Sequence, residues 1–356
     1  MLFKDNKNIK EEEIEIGDEN NSIQNEIRIK QPPVLFQETQ HLISKIEDML
    51  GHKMIVYWTS ERGGVCQNDV LALYEIFRQI GKNEKISIFI KSDGGDVEAA
   101  LRIVNLIRTY SNNVTALIPL ECASSATMIA LGANEISMGP LSFLTAIDSS
   151  IMHNLSPIDE RDNRRVRVSQ DELYRIVKLW DNNSKEHHGN PYSDIFKYVH
   201  PLVIGALDRS SSLSIKICKE ILSYHMNDNE ECDRISNHLN GDYPSHGYPI
   251  TSREAKSIGL NITNLREDIN NLLLELNKCY SEMAQRALTD YDEYNYHDNE
   301  ILNILEASDI QVFYQNDKDW NYIKDERRWQ VLNDESSWRK SEVVDGKVIH
   351  DIFYIA

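Results

Sequence analysis

From residue 38 the chain settles into a regular exchange of apolar patterns. ETQHLISKIEDML (38–50) places Leu42, Ile43, Ile46, Met49 and Leu50 at helical spacing. MIVYW (54–58) is a short continuous apolar run, the pattern of a buried strand. NDVLALYEIFRQI (68–80) returns to helical periodicity, with Asn68 or Asp69 as cap. KISIFI (85–90) is β-branched and strand-like. In 96–110, Val97, Leu101, Val104 and Ile103 or Ile107 share one helical face. A strand over 114–120, a helix from Ser124 through 133 and a strand over 134–138 follow. Strand alternating with helix predicts right-handed βαβ units and a mostly parallel sheet. After Pro140 the pattern turns helical, over 170–181, 201–223, 254–260 and 265–287. The last carries an apolar seam of Ile269, Leu272, Leu273 and Leu276.

Three regions emerge. Residues 1–30 are polar, charged and poor in aromatics, which predicts a disordered arm. Residues 31–288 form the main domain. From 289 to 356 the composition shifts to an acidic, tyrosine-rich stretch, TDYDEYNYHDNE, read as solvated surface. Trp320, Trp329 and Trp338 follow, as a small core or a subunit contact. This third region reads as a small appendage of a few strands plus a helix. No internal repeat is visible.

Composition narrows the function classes. A net charge of -19 opposes phosphate binding, so no nucleic-acid partner is expected, and it opposes adsorption to anionic membranes. No apolar run reaches the roughly 20 residues of a membrane span. The first residues lack the apolar core of a signal peptide, so a cytoplasmic protein is expected. The five cysteines are scattered, with no CxxC spacing, as suits a reducing compartment.

Two segments could carry chemistry. Ser92-Asp93-Gly94-Gly95-Asp96 follows a predicted strand and opens a predicted helix, so its backbone amides can approach an anion or a transient oxyanion. Taken alone, the glycine pair is better explained by a plain tight turn capped by Asp96. It is neither a dinucleotide fingerprint nor a P-loop. The second is ECASSATMIAL (121–131), where Ser124 and Ser125 stand between a strand and a helix. A helix cap is the plain reading. In a parallel sheet, however, successive strands end on one edge, where ligands bind. Gly95 and Ser124 should therefore meet, one offering an amide and the other a hydroxyl. A further amide from Ser125 completes what acyl transfer needs.

SDGGDVEAALRIVNLIR followed by ASSATMIALGANEISMGPLSFLTAID resembles the Clp-fold serine peptidases, which include the Clp protease proteolytic subunit and signal peptide peptidases. With HPLVIGALDRSSSLSIKICKEIL (200–222) and HGYPITSREAKSIGLNI (246–262), the chain most resembles the serine dehydrogenase proteinases, over about 35–285. The resemblance implies an α/β Clp/crotonase-like fold, a homo-oligomer, a peptide or unfolded-protein substrate and no cofactor. It makes Ser124 the nucleophile, with Ser125 as runner-up, and Gly94, Gly95 and Ser125 the oxyanion site. The family's Ala-Gly after the serine is Ser125-Ala126 here, and its Ile-Asp-Pro-Gln is Ile147-Asp148-Ser149-Ser150.

Relatives activate the serine with His-Asp or Lys. His153, in IMHNLSP, stands about as far beyond the serine as the Clp histidine and ranks first here. Lys178, His187, His188 and His246 are alternatives, and Asp148 is the matching carboxylate. Each histidine taken alone is more simply a surface residue, and Lys178 a solvated helix face. Glu186, His187 and His188 make a poor metal motif, so no metal is expected. Two other classes share the fold: an enzyme handling acyl-CoA thioesters, and a scaffold without catalysis.

Overall fold

The computed structural model describes residues 28–148, 150–159, 161, 164–183, 190 and 192–355. Most of the N-terminal arm thus lies outside the described residues; Lys30 N–H donates to Thr289 Oγ1 at 2.9 Å. In chain order the elements are α1 (Phe36–Leu50), β1 (Lys53–Thr59), α2 (Gln67–Ile80), β2 (Lys85–Lys91), α3 (Val97–Tyr110), β3 (Asn113–Ile118), β4 (Glu121–Cys122), α4 (Ser125–Leu131), β5 (Glu135–Met138) and β6 (Phe143–Leu144). Short pieces β7 (Ser150–Ile151), β8 (Ile158–Asp159), β9 (Arg164–Arg165) and β10 (Val168–Ser169) lead into α5 (Gln170–Asn183), α6 (Tyr192–Ile195), α7 (Pro201–Ser223), α8 (Asn229–Gly241) and α9 (Ser252–Ser257). Then come β11 (Ile262–Asn264), α10 (Glu267–Met283), β12 (Ala287–Asp290), β13 (Asn295–Ala307), β14 (Ile310–Ile323), β15 (Arg328–Asp334), β16 (Ser337–Val344) and β17 (Lys347–Ile352).

One eleven-stranded sheet runs β11-β5-β3-β2-β1-β13-β14-β16-β17, with β12 beside β13 and β15 beside β14. From β11 to β1 every pairing is parallel. Beyond β1 every pairing is antiparallel. The mostly parallel sheet expected from the sequence describes only the first of these halves. Among the described residues, the segment from residue 289 adds strands and no helix, and they continue the same sheet.

Successive β1 side chains face opposite layers, as the strand period requires. Ile55 and Tyr57 pack with Leu73, Ile103 and Met128 of α2, α3 and α4. Met54, Val56 and Trp58 pack with Ile43, Ile46, Leu273 and Leu276 of α1 and α10. Helices therefore cover both faces of the parallel half, which is why its strands are apolar on both sides. Local chemistry fixes the helix starts: Asp96 Oδ1 accepts the Ala99 N–H at 2.9 Å to cap α3. Pro201 opens α7 at its first position, where its missing N–H costs nothing. The sequence reading missed the four-residue α6 and the longer α8. Its buried apolar residues are only Cys232, Ile235 and Leu239, spaced three and four apart in an otherwise polar segment.

The acidic stretch corrects a second expectation. His297, Asp298, Asn299 and Glu300 are buried rather than solvated. Arg286 pairs with Asp298 at 2.7 Å, and Arg62 reaches Asp298 at 3.5 Å and also bonds Glu300. Burial works to raise the Asp298 carboxyl, but the two guanidinium groups hold it below its usual value. Trp338 is buried in the main core, whereas Trp329 is exposed.

Candidate active site

Strand β2 ends at Lys91, and the chain turns through Gly94 and Gly95 before α3 begins. The turn needs glycine at both positions. Gly94 has φ +99° and Gly95 φ +153°, where a side chain is strained. A Cβ on Gly94 would stand 2.6 Å from Ser124 Cβ and 3.0 Å from Ser125 N. The turn and the serine, about thirty residues apart, are therefore packed against each other, as the common strand edge predicts. Paired backbone reinforces this: Ala123 N–H donates to Ser92 O at 2.9 Å, and Ser92 bridges Cys122 in parallel. The Gly94 N–H is used internally, donating to Ser92 Oγ at 3.2 Å. The N–H groups of Gly95 and Ser125 have no acceptor among the described residues.

Ser124 occupies the junction between β4 and α4 with φ 52° and ψ -122°. A non-glycine residue there carries strain on the order of 1–3 kcal/mol. The plain reading as a helix cap fails, because the side chain makes no capping hydrogen bond. Its backbone N–H is tied instead to Thr145 Oγ1 at 2.8 Å. Ser124 is partly exposed, whereas Ser125 is fully buried and its Oγ has no partner. Nearby, Lys91 is buried, donates to Thr59 O at 3.0 Å and pairs with Glu121 at 3.1 Å.

Of the residues weighed as base, the structure joins one pair. His246 Nδ1 bonds Asp148 Oδ1 at 2.7 Å, and the two side chains are 45% and 8% exposed. The hydrogen bond to Asp148 pushes the His246 imidazole above its usual value, against the opposing effect of burial. With Nδ1–H donated to the carboxylate, Nε2 keeps its lone pair free. The pair is 98 residues apart in sequence and is closed by a two-way bridge. Leu144 N–H donates to Ile250 O at 3.0 Å and Ile250 N–H to Leu144 O at 2.8 Å. Asp148 follows Thr145, the residue bonded to Ser124, by three positions, a reach of at most about 11 Å. No hydrogen bond links Ser124 Oγ to His246 among the described residues.

His153, ranked first from the sequence, uses its Nδ1 to accept the Leu155 N–H at 3.1 Å, and its own N–H donates to Ser156 Oγ at 3.0 Å. Its bonds stay within its own loop, and the tautomer they impose puts the proton on Nε2. Lys178 lines a cavity of about 610 Å³ together with Asp148, Tyr174, Ser211, Asn240 and Tyr243. Asp148 Oδ2 is buried without a partner. His187 and His188 lie outside the described residues. Among the described residues no group of three or more His, Cys, Asp or Glu is placed to hold a metal ion. No described helix is long and apolar enough to cross a membrane.

The chain is 24% identical over 224 residues to an uncharacterized protein of Methanocaldococcus jannaschii, covering 62% of this chain and 68% of that one. A 1510-N membrane-bound stomatin-specific protease in complex with a substrate peptide matches at 16% identity and TM-score 0.35, over 62% of this chain and 76% of that one. ClpP1 from Listeria monocytogenes matches at 15% identity and TM-score 0.34, over 66% of this chain and 99% of that one. The sequence profile of the Clp protease family matches residues 37–215, half of the chain and the part that carries the Gly94–Gly95 turn, Ser124 and Asp148. The chain belongs to the Clp protease family.

Proposed function

We propose that this chain is a serine-type peptidase in which Ser124 attacks a peptide carbonyl. Family membership supports a peptidase. The observation that carries the serine assignment is Ser124 itself: a strained, uncapped, partly exposed hydroxyl on a strand-to-helix turn, pressed against a glycine turn with a free amide. Backbone strain kept at one polar residue is a mark of functional sites.

The steps follow from the groups present. His246 Nε2 takes the Ser124 Oγ proton as Oγ adds to the carbonyl carbon. The oxyanion that forms is stabilised by the N–H groups of Gly95 and Ser125, while Gly94 supplies the close approach. The imidazolium returns the proton to the leaving amine, and the C–N bond breaks. Water, activated by the same imidazole, then hydrolyses the acyl-enzyme. Asp148 holds His246 in the required tautomer and stabilises its charged form. This ordering favours His246 over His153, because only His246 has a carboxylate on its Nδ1 side. The gap to Ser124 Oγ is of the kind that substrate binding closes.

Three further points belong to this reading. The resemblance of segments 200–222 and 246–262 supports the serine dehydrogenase proteinases as the subfamily. Exposed apolar side chains gather between 150 and 202, including Leu155, Ile158, Tyr174, Ile176, Leu179 and Tyr198, which supports a self-associating face. The five free cysteines support work in a reducing compartment.

The test is labelling with a fluorophosphonate on the wild type, Ser124→Ala and Ser125→Ala. Loss confined to Ser124→Ala is expected. Loss confined to Ser125→Ala would move the nucleophile by one residue, and a folded wild type that never labels would overturn the peptidase reading.

A further inference from the structure

We infer that Asn303, on the antiparallel extension far from Ser124 in sequence, is a positioning residue that sets the oxyanion amide of Gly95. This rests on the acyl-transfer reading above. A peptide unit is planar, so its C=O and N–H point to opposite sides. Whatever holds the Gly94 carbonyl therefore aims the Gly95 N–H. That carbonyl accepts the Val65 N–H at 2.9 Å, and Asp96 N–H donates to Val65 O at 2.8 Å, so residues 94–96 are paired with Val65 as a short parallel bridge. The position of the loop 60–66 thus decides the direction of the amide.

The extension holds that loop at successive points. Strand β13 carries a bulge between Ile301 and Asn303. On the β1 side, Leu302 O accepts the Ser60 N–H at 2.8 Å. Gly63 lies directly on this backbone, where a Cβ would stand 2.3 Å from Leu302 O. Arg62 pairs with Glu300. Asn303 then grips Gly64 from both sides of its backbone: Gly64 N–H donates to Asn303 Oδ1 at 3.2 Å, and Asn303 Nδ2 donates to Gly64 O at 2.8 Å. The same Nδ2 donates to Asp69 at 2.8 Å, and Asp69 accepts the Cys66 N–H at 2.8 Å. One buried amide side chain therefore fixes both ends of the short segment that holds Val65. Gly64 is itself in contact with the target, since a Cβ there would sit 2.9 Å from Gly94 O.

The experiment compares wild type, Asn303→Ala and Gly64→Ala on a peptide ester, with hydrogen exchange across 60–66 and 92–96 measured on the same samples. Gly64→Ala presses on the Gly94 carbonyl without touching Asn303, so the two variants approach the amide independently. Removing an oxyanion donor lowers kcat by about 10²–10³. Misaiming one is expected to lower kcat about 10–100-fold with KM within about twofold, in variants that remain folded at the assay temperature. The acid limb of the pH profile should not move, because His246 and Asp148 lie on other elements. Faster exchange at Val65 in Asn303→Ala is expected alongside. Wild-type kcat in both variants, with an active wild type, overturns the inference and leaves the peptidase reading standing. If the wild type itself neither labels nor turns over, the peptidase reading fails, and unchanged protection of Val65 in Asn303→Ala then overturns the latch as well.

Discussion

The two halves of the sheet solve the same problem with different materials. In the parallel half, β1 and β2 are buried from their second residue onward, and most of what is buried is apolar. In the antiparallel half, the interior includes Asp298, Glu300, Asn303, Glu306, Gln311 and Gln315, and each carries a partner. Glu306 shows the method. Its two oxygens accept from Thr39 Oγ1, Gln40 Nε2 at 2.8 Å, Tyr280 OH at 2.8 Å and Gln311 Nε2 at 2.6 Å. One carboxylate thereby ties β13 and β14 to α1 and α10. Apolar packing tolerates small shifts, whereas a buried polar network fixes one arrangement or fails. The half that holds the proposed reacting groups is thus built on the forgiving material, and the half that braces it on the exacting one.

The largest expected effect concerns the reacting edge. Asp148→Asn should lower kcat by about 10³–10⁴, since the imidazole loses its tautomer and the support of its charged form. His246 must be neutral to take a proton, and Asp148 raises it. The wild-type rate should therefore climb through a pH above the ordinary histidine value, and the residual activity of the variant should climb at lower pH. A pH–rate profile of both proteins checks this; an unmoved acid limb would exclude His246 as base.

Bracing by the extension predicts a different signature. Glu306→Ala should cost about 3 kcal/mol of stability, because four buried donors lose their acceptor. Surviving folded molecules should label at Ser124 at the wild-type rate. Burial outweighs the four hydrogen bonds and pushes the Glu306 carboxyl up to about 7, from 4.5. An acid raised on folding binds its proton more tightly in the folded state. Its favourable contribution is complete below pH 4.5 and is lost as pH climbs through 7. Urea unfolding at both ends of that window should show a wild-type advantage over Glu306→Ala that is greater at the acid end. A flat difference would mean the network holds the carboxylate ionised throughout.

The smallest effect locates strain within the forgiving half. Ser124→Gly relieves a positive φ and should raise stability by about 1 kcal/mol while removing all labelling. A variant less stable than wild type would show that the hydroxyl itself holds the turn.

What could be read from the sequence divides along the same line. Helices α2, α3 and α7, and the strands beside them, follow the apolar pattern within a residue or two, because two-sided burial writes itself into composition. The approach of the Gly94–Gly95 turn to Ser124 was legible too, through the rule that parallel strands end on one edge. His246 and Asp148 were each named, yet nothing local says that Leu144 and Ile250 pair and draw them together. The extension was misread for the converse reason. Asp298, Glu300 and Asn303 are polar because their partners are polar, and partners such as Arg62 and Asp69 lie more than two hundred residues away. A buried network leaves the same composition as a wet surface.

The sheet order has a consequence for synthesis. Val56 of β1 is partnered by Glu306 of β13, so the growing chain emerges with one side of its central strand unpaired until a segment about 250 residues further on has been made. During that interval, at about 5–20 residues per second, a strand carrying Val56 and Trp58 offers open backbone to any neighbour. The ribosome-bound intermediate would thus carry a bare strand edge that the finished sheet covers.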